Sequence, residues 1–535
     1  MNLLNKLGLF IACAALAGCA TLTPKNDTKE TGPLEVDYLL TNADVYVGDG
    51  SGSIRVDVAI KNDEVIFIGE HSGHLRAKNS IDASGYIIAP GFIDPHTHSL
   101  LELGSEVKAL RQNANYRLQG VTTVFNGNDG GGDPDILKLS SELQTHGIGT
   151  NTALYVGHGA VRRLVMGNAK RAPTSDELSQ MKALVDEAMD AGALGLSTGL
   201  FYVPGSFSDT DEVVALAKVA ALKGGIYDSH IRDESTYNIG LESSIEEVLE
   251  IGRRADIPVH IAHIKALGVD VWGKSVPVIA LINKARAEGL RVTADQYPWL
   301  ASGTSISAAL IPRDIKAGGK EKYQARLKDP SLGEKLRLDV AENLRRRGGG
   351  DAVLITMGRA DWQGKTLSEL AQKNNLSVVD MAIYIASNGN AKIASFNMHK
   401  KDILNFMQQE WVMTSSDGSV GHPRKYASFP KKYQTYIKDQ QAIPLESFLY
   451  RSSGLVADTF NLCGRGYLKL GYKADIVIFD PKTFAPLADF QNPEGLSEGV
   501  KYLFVNGSLA VNAGVSQPVF PGKVLKPCTE HINQD

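Results

Sequence analysis

The stretch Gly91-Phe92-Ile93-Asp94-Pro95-His96-Thr97-His98 decides how the rest of this 535-residue chain is interpreted. An apolar run over 86–93 predicts a buried strand, and the two histidines follow where that strand ends. Residues at i and i+2 of an extended chain point to the same side, so we expect both imidazoles to face one site. Imidazole is the commonest metal ligand in proteins. Taken alone, however, a His-x-His pair is equally compatible with a structural role.

Composition describes an ordinary globular protein that is long enough for several domains. Hydrophobic residues make up 43% of the chain and charged residues 22%, and the net charge is -4. These fractions are usual for a folded domain. Because the chain has no broad excess of basic residues, nucleic acid is an unfavourable partner.

The N-terminus has the pattern of an export signal. Lys6 precedes an apolar run over 7–17, which is too short to span a bilayer and is typical of a signal peptide. The run ends in Leu16-Ala17-Gly18-Cys19, which resembles a bacterial lipobox and implies cleavage before Cys19 and lipidation of its thiol. With Ala20 next, we expect an anchor on the periplasmic face of the outer membrane, after a signal over 1–18 and a tether over 19–35. An ordinary secretory signal with a chance cysteine is the alternative.

Two further cysteines, Cys463 and Cys528, remain in the mature chain. An oxidising compartment permits a disulfide between them. Nothing in the sequence fixes the distance between them, so two free thiols are an equal alternative.

Short alternating apolar runs at both ends of the mature chain predict β-structure. The runs over 36–88 are separated by turns that contain Asn and Gly, and similar runs recur over 461–535. We expect both segments to form one small β-sandwich.

Between these segments, residues 89–460 alternate strand-like runs with amphipathic helices, a pattern typical of a parallel sheet. Eight such runs each end on a polar residue: the run into His96 and His98, then 122–129, 152–158, 193–198, 225–230, 258–263, 291–297 and 411–417. A closed α/β barrel places its chemistry at the carboxyl ends of its strands, whereas an open sheet concentrates it at one switch point. The pattern therefore favours a distorted (β/α)8 TIM barrel, and residues 300–410 form an insertion over its mouth.

The polar residues at the strand ends form a plausible ligand set for a metal. The first strand supplies His96 and His98, the fifth His230, the sixth His263 and the eighth Asp417. Four imidazoles and a carboxylate suit a hydrolytic zinc centre. Asp129, at the end of the second strand, is the candidate bridge between two ions.

Several motifs give the chain a family resemblance. It resembles the amidohydrolase superfamily and, within it, the D-aminoacylase (N-acyl-D-amino-acid deacylase) family, over nearly all of the mature chain. The first of the matching motifs is typical of the whole superfamily. The motifs that contain Tyr202, Lys265 and Arg424 occur in fewer proteins and favour the deacylase family. The motifs are Pro90-Gly91-Phe92-Ile93-Asp94-Pro95-His96-Thr97-His98, Gly120-Val121-Thr122-Thr123-Val124, Leu196-Ser197-Thr198-Gly199-Leu200-Phe201-Tyr202-Val203-Pro204-Gly205, Ser229-His230-Ile231-Arg232-Asp233-Glu234, Ala262-His263-Ile264-Lys265, Ser416-Asp417-Gly418, His422-Pro423-Arg424 and Lys473-Ala474-Asp475-Ile476-Val477.

This resemblance implies a role for each matching residue. His230 and His263 hold the tighter zinc, whereas His96, His98 and Asp417 form a second site that is weaker or vacant. Asp417 is also the general base. Lys265 and Tyr297 are expected to bind the substrate carboxylate, with Tyr202 nearby. Arg424 is a further substrate-binding candidate, although Arg424 and His422 could instead fix the loop after the eighth strand.

The resemblance has one departure, at Asp129. The family usually carries a cysteine in a Gly-Asn-Cys-Gly turn, and here the turn reads Gly127-Asn128-Asp129-Gly130. A thiolate is softer than a carboxylate and binds zinc more tightly. The sequence therefore leaves open whether this site binds one zinc ion, two zinc ions or another divalent metal.

The resemblance implies a metal-dependent hydrolase of linear amides that releases the acyl group from N-acyl-D-amino acids or cleaves related D-residue dipeptides. One alternative is a cyclic-amide hydrolase of the same superfamily. Such enzymes commonly use a carboxylated lysine as a bridge, and here the fourth strand ends on Thr198 instead. A second alternative is a non-catalytic periplasmic binding lipoprotein.

Overall fold

The computed structural model describes residues 33–70 and 73–528. The predicted signal peptide, Cys19 and the tether up to residue 32 lie outside the described residues. Within the described part of the chain, no helix combines the length and the apolar character that a membrane crossing requires.

Eight parallel strands form the predicted barrel, which confirms the fold class. In chain order they are β1 (Phe92–Asp94), β2 (Val121–Asn126), β3 (Asn151–Leu154 and Val156–Gly157), β4 (Gly195–Gly199), β5 (Ile226–His230), β6 (Val259–Ile261), β7 (Val292–Gln296) and β8 (Val412–Thr414). Each strand pairs in parallel with the next. Just beyond the strands, a parallel bridge joins Thr97 to Gly418, and Asp417 N donates to His96 O over 2.9 Å. The first and last strands are therefore neighbours, and the barrel closes.

Amphipathic helices surround the barrel and bury their apolar sides against its strands. In the helix Leu241–Ala255, Leu241, Ile245, Val248 and Leu249 are buried in the main core. These positions recur at the helical period, which explains why this helix is recognisable in the sequence. One further helix, Lys400–Met407, falls within the expected insertion over 300–410 but packs into the main core through Phe406. The helices outside 300–410 are Leu100–Leu103, Lys108–Arg111, Ala114–Arg117, Ile136–His146, His158–Met166, Ser175–Asp190, Thr210–Leu222, Leu241–Ala255, Ser275–Ala287, Arg424–Lys432, Leu445–Arg451 and Gly454–Thr459.

The terminal segments form two sheets that share a core. The first sheet contains Leu34–Thr41, Asp57–Lys61, Glu64–Gly69 and Leu75–Asp82. The second contains Asp44–Val45, Ile54–Arg55, Ile87–Pro90, Ile476–Phe479, Val500–Val505, Ser508–Asn512 and Val515–Ser516. Apolar side chains from both sheets, such as Leu40, Val58 and Ile476, pack into one cluster.

The last residues of the C-terminal segment lie outside this sandwich and contact the barrel. The last strand, Val524–Leu525, pairs in parallel with β3 of the barrel, a contact that the sequence pattern did not predict. Cys463 and Cys528 form a disulfide with a Cα–Cα distance of 5.9 Å. The structure therefore resolves the alternatives left open for these two cysteines in favour of the bond.

The insertion over 300–410 forms a unit with a core of its own. Its antiparallel sheet has the order Ser302–Ser305, Lys392–Ser395, Val353–Met357. The charged stretch over 320–346 forms two helices, which a 3-10 turn at Pro330–Leu332 separates. Its helices are Ile306–Leu310, Lys320–Leu327, Gly333–Arg346, Leu367–Lys373 and Val378–Ser387. The edge strand Ser302–Ser305 lines the cavity at the mouth of the barrel.

Candidate metal centre and substrate pocket

The carboxyl ends of the barrel strands bring the six expected ligands together. They fall into two groups that share Asp129, and within each group the ligand atoms lie within 4.8 Å of one another. One group is His96, His98, Asp129 and Asp417, and the other is Asp129, His230 and His263. His230 and His263 thus lie together on one side of the division, and His96, His98 and Asp417 on the other.

Asp129 lies between the two groups. Its Oδ1 is 3.2 Å from His263 Nε2 and 3.5 Å from His96 Nε2. Its Oδ2 is 3.5 Å from His98 Nε2. The two carboxylate oxygens therefore reach imidazoles of both groups, as a bridging ligand must.

Three of the ligands have backbone conformations that L-residues rarely adopt. The φ angles of Asp129, His263 and Asp417 are 57°, 36° and 46°. Strained conformations of this kind persist only where the surroundings enforce them, and they concentrate at functional sites. Packing against Gly199 is part of that enforcement, because a Cβ on Gly199 would lie 2.1 Å from the carbonyl oxygen of Asp129.

Charge at the centre is arranged to hold a cation. Burial opposes charge on His98, but hydrogen bonds to Asp129 and Asp417 raise the pKa of His98 to about 9. Burial would raise the pKa of Asp417, yet Arg424 and His263 hold it below its ordinary value. His96 Nε2, which faces Asp129 and Asp417, is buried without a hydrogen-bond partner. This orphaned nitrogen and the ionised carboxylates belong to a donor set that suits a divalent ion such as zinc.

Two carboxylates that the sequence analysis did not single out support the ligands from outside. Glu234 Oε1 lies 3.3 Å from His263 Nδ1, and Glu234 Oε2 lies 3.9 Å from His230 Nε2. Asp295 Oδ2 lies 3.8 Å from His96 Nδ1. Such partners fix the orientation and tautomer of ligating histidines. Glu234 follows His230 by four residues in the motif Ser229-His230-Ile231-Arg232-Asp233-Glu234. This spacing only weakly indicates that Glu234 supports the ligand.

His260 lies in β6, three residues before the ligand His263. It is buried in the barrel, where its Nε2 lies 2.9 Å from Asp295 Oδ2 and its Nδ1 lies 2.8 Å from Thr293 Oγ1. His260 therefore orients Asp295, which in turn faces His96.

Asp94 joins the first and eighth strands beside the ligands. Its Oδ1 accepts hydrogen bonds from the backbone N–H groups of His96 and Ser416, over 3.2 and 3.1 Å. Complete burial raises the pKa of Asp94 to about 7. Asp94 therefore fixes the two turns that carry His96 and Asp417.

A cavity of about 440 Å³ opens beside the ligands. The four residues expected to bind substrate, Lys265, Tyr297, Tyr202 and Arg424, all line it. The Lys265 ammonium and the Arg424 guanidinium lie 5.6 and 4.7 Å from the centre of the Tyr297 ring. Lys265 and Arg424 therefore both lie close to the Tyr297 ring in the wall of the cavity.

Both cations on this wall already have acidic partners. Lys265 Nζ donates to Glu234 Oε1 over 2.6 Å, and Arg424 Nη1 lies 2.8 Å from Asp417 Oδ2. The structure shows that Lys265 both forms this salt bridge and lines the cavity.

Three other polar residues near the strand ends, His158, Arg162 and His422, do not line the cavity. His158 and Arg162 both pair with the buried carboxylate of Glu212, so they stabilise the helix that begins at His158. His422 accepts from Arg424 N and contacts Ala301 O over 3.1 Å, so it fixes the loop after β8.

Comparisons with known proteins point to one family. The model described as the amidohydrolase family matches residues 79–320. A D-aminoacylase from Alcaligenes xylosoxydans xylosoxydans is 30% identical over 502 residues, which cover 88% of this chain and 94% of that relative.

Solved structures of similar proteins cover the same length. A D-aminoacylase described as having a binuclear metal centre has a TM-score of 0.78 and 28% identity, over 92% of this chain and 100% of that chain. An N-acyl-D-glutamate deacylase from Bordetella bronchiseptica, in complex with zinc and a phosphonate that mimics the tetrahedral intermediate, has a TM-score of 0.78 and 29% identity over the same fractions.

Proposed function

Because this chain belongs to the D-aminoacylase family of the amidohydrolase superfamily, we propose that it hydrolyses N-acyl-D-amino acids to a carboxylic acid and a free D-amino acid. Related D-residue dipeptides are substrates of the same chemistry. One observation carries the proposal: the two ligand groups that share Asp129 open into the same cavity as Lys265, Tyr297 and Arg424. A centre for attacking a carbonyl therefore lies beside a site for the carboxylate of an amino acid.

The two groups of ligands would hold the metal, with His230 and His263 in one site, His96, His98 and Asp417 in the other, and Asp129 shared between them. When bound, zinc or a similar divalent ion supplies Lewis acidity to the attacking water and to the scissile carbonyl. Nitrogen and carboxylate ligands suit zinc, and the harder carboxylate at Asp129 also accommodates other divalent ions.

Asp417 is the general base of this proposal. Its Oδ2 is held by Arg424, whereas its Oδ1 faces the ligands, 3.4 Å from His98 Nε2. Oδ1 takes a proton from the attacking water and returns it to the leaving nitrogen as the carbon–nitrogen bond breaks. An amide anion is a very poor leaving group, so this protonation is needed, and such transfer contributes about 100-fold or more to the rate.

The carboxylate of the substrate binds at the wall formed by Lys265, Tyr297 and Arg424. The substrate carboxylate would lie beside the two cations, Lys265 and Arg424. Their acidic partners, Glu234 and Asp417, would also interact with the metal centre when metal is bound. These two carboxylates would therefore only partly neutralise the charges of Lys265 and Arg424. Charge-assisted hydrogen bonds of this kind are among the strongest in proteins. Tyr202 packs beside the centre, with its ring 4.7 Å from that of His230, and its hydroxyl is available to the acyl carbonyl.

A substrate panel tests this proposal against its alternatives. Zinc-loaded protein is assayed with N-acetyl-D-amino acids, with their L-enantiomers and with cyclic amides such as hydantoins. We expect turnover of the D-series, with the L-series and cyclic amides at least about 100-fold slower. Turnover confined to cyclic amides would favour the hydantoinase-like alternative, and metal-loaded protein without any turnover would favour a binding lipoprotein.

The proposed location is the periplasmic face of the outer membrane, through a lipid on Cys19. The lipobox-like stretch that ends at Cys19 supports this location. The disulfide between Cys463 and Cys528 also supports it, because disulfides persist in oxidising compartments. Palmitate labelling and membrane fractionation test it: the full-length chain should be labelled and membrane-bound, and Cys19→Ala should be neither. Equal labelling of Cys19→Ala would contradict the lipid anchor.

A further inference from the structure

Two cations in the wall of the cavity have no acidic partner within the described part of the chain. Arg347 and Lys392 both line the cavity and come from the insertion over 300–410. Neither has a carboxylate within 4.0 Å among the described residues, unlike Lys265 and Arg424. They are also distinct from every residue that the proposed reaction uses.

Arg347 is the better defined of the two. Its side chain is only 2% exposed, and its Nε is buried without a hydrogen-bond partner. With its amide donating to Ser395, Asn397 accepts from Arg347 Nη1 over 3.2 Å, and the guanidinium lies 5.7 Å from the centre of the Tyr237 ring. The guanidinium is therefore oriented by neutral groups only. A buried cation without a counter-ion is unfavourable unless an anion joins it.

Lys392 increases the positive charge of the same cavity from the other end of the insertion's edge strand. It pairs in register with Ser305, whereas Asn397, the partner of Arg347, lies beside Ser302 at the start of that strand. Lys392 is an exposed residue, but partial desolvation of its ammonium, together with the nearby Arg424, lowers its pKa. An added anion would stabilise the charged ammonium and oppose this shift.

From this geometry we propose that the cavity binds substrates with a second carboxylate, which pairs with Arg347 and is attracted by Lys392. The inference rests on the proposed function, in which the first carboxylate binds at Lys265, Tyr297 and Arg424. The second carboxylate has two possible sources with the same chemistry: an acidic side chain on the D-amino acid, or the far end of a dicarboxylic acyl group.

Two matched pairs of substrates distinguish these sources in the zinc-loaded protein. N-acetyl-D-glutamate is compared with N-acetyl-D-glutamine, and N-succinyl-D-alanine with its succinamoyl counterpart. Each pair differs by one charge at nearly constant shape. In at least one pair we expect the dianion to have a kcat/KM about 10- to 100-fold higher, as one charge-assisted interaction contributes. The pair that shows the preference identifies the source.

Arg347→Gln should remove this preference by lowering kcat/KM for the dianion, with the neutral substrate changed less than about threefold. Arg346→Gln is the matched control. Arg346 also lies over the Tyr237 ring, at 5.3 Å, but it bonds to Thr236 and Asn343 outside the cavity. We expect this control to retain the preference.

Lys392→Gln, at an exposed position, decides the question if Arg347→Gln does not fold, and it should reduce the preference by about threefold or more. Equal losses for both substrates of a pair in Arg347→Gln would overturn the proposal, because they would indicate a structural role. Absence of a preference in the wild-type protein, or an unchanged preference in Lys392→Gln, would also overturn it.

Turnover of neutral N-acyl-D-amino acids alone would overturn this inference and leave the proposed function intact. Absence of turnover on every D-substrate would overturn the proposed function itself.

Discussion

Asp129 is the residue on which the character of the metal centre depends. Both of its carboxylate oxygens face imidazoles, and each ligand group includes it. A carboxylate in this position favours two ions that are held more loosely than a thiolate bridge would hold them.

Asp129→Cys tests this bridging role. We expect zinc to bind at least as tightly as in the wild-type protein, because a thiolate is the softer ligand. Competition with a chromophoric chelator measures the affinity, and Asp129→Ala, which removes the ligand, is expected to bind zinc more weakly. If neither substitution changed the zinc affinity, Asp129 would not be a ligand.

Asp417→Asn tests the proton transfer. The amide keeps an oxygen for the metal but no longer accepts a proton, so kcat should fall at least about 100-fold while metal is largely retained. Single-turnover kinetics with parallel metal analysis measure both quantities. Activity close to that of the wild-type protein would contradict the role of general base.

The residues that could be predicted from sequence are those whose position on a strand fixes their direction. His96, His98, His230, His263 and Asp417 all follow a buried run, and the ends of parallel strands meet at one edge of the barrel. Glu234 and Asp295 could not be assigned in the same way, because their roles depend on contacts with histidines on other strands. Arg347 was also missed, since it follows a charged helix in an insertion whose packing the sequence does not determine.

At the scale of elements, the turn after β5 supports the metal centre through Glu234. This carboxylate contacts the ring nitrogens of His230 and His263 that point away from Asp129, and it also accepts from Lys265. The same turn therefore orients two ligands and one substrate-binding residue.

Glu234→Gln should weaken metal binding at the site of His230 and His263 by about 10- to 100-fold, as loss of an outer partner does elsewhere. Zinc titration by calorimetry measures the affinity. The control is Glu242→Gln, at an exposed glutamate that pairs with Lys274 on the surface and should leave zinc binding unchanged. Equal affinities in the two variants would show that Glu234 does not support the ligands.

Strands of the barrel could be predicted as short apolar runs, because they are buried at nearly every position, and its helices by their hydrophobic period. The helix Leu241–Ala255 begins where its apolar stripe begins. The final strand, Val524–Leu525, could not be predicted, because two residues are too few for a period and its partner strand lies more than 350 residues away.

At the scale of the whole molecule, the C-terminal segment connects the sandwich to the barrel. The chain leaves the second sheet, pairs with β3 and is then bonded through Cys528 to Cys463. The disulfide closes a loop with a sequence separation of 65 residues.

Removing this bond should destabilise the fold. Cys463→Ser or Cys528→Ser is expected to lower the free energy of unfolding by about 2–4 kcal/mol, because the cross-link restricts the unfolded chain. Urea denaturation with and without reductant measures the change, and the reductant should have no further effect on either variant. A wild-type protein whose unfolding is insensitive to reductant would show that the bond contributes nothing to stability.

The central claim is that this barrel is a metal-dependent deacylase of N-acyl-D-amino acids, and one measurement tests it most directly. Purified protein is stripped of metal with a chelator, reloaded with increasing zinc, and assayed at each step with an N-acetyl-D-amino acid and its L-enantiomer. We expect no turnover without metal, and a return of D-specific hydrolysis as zinc binds. Hydrolysis that persists in fully stripped protein, zinc-loaded protein that leaves the D-substrate intact, or a preference for the L-enantiomer would contradict it.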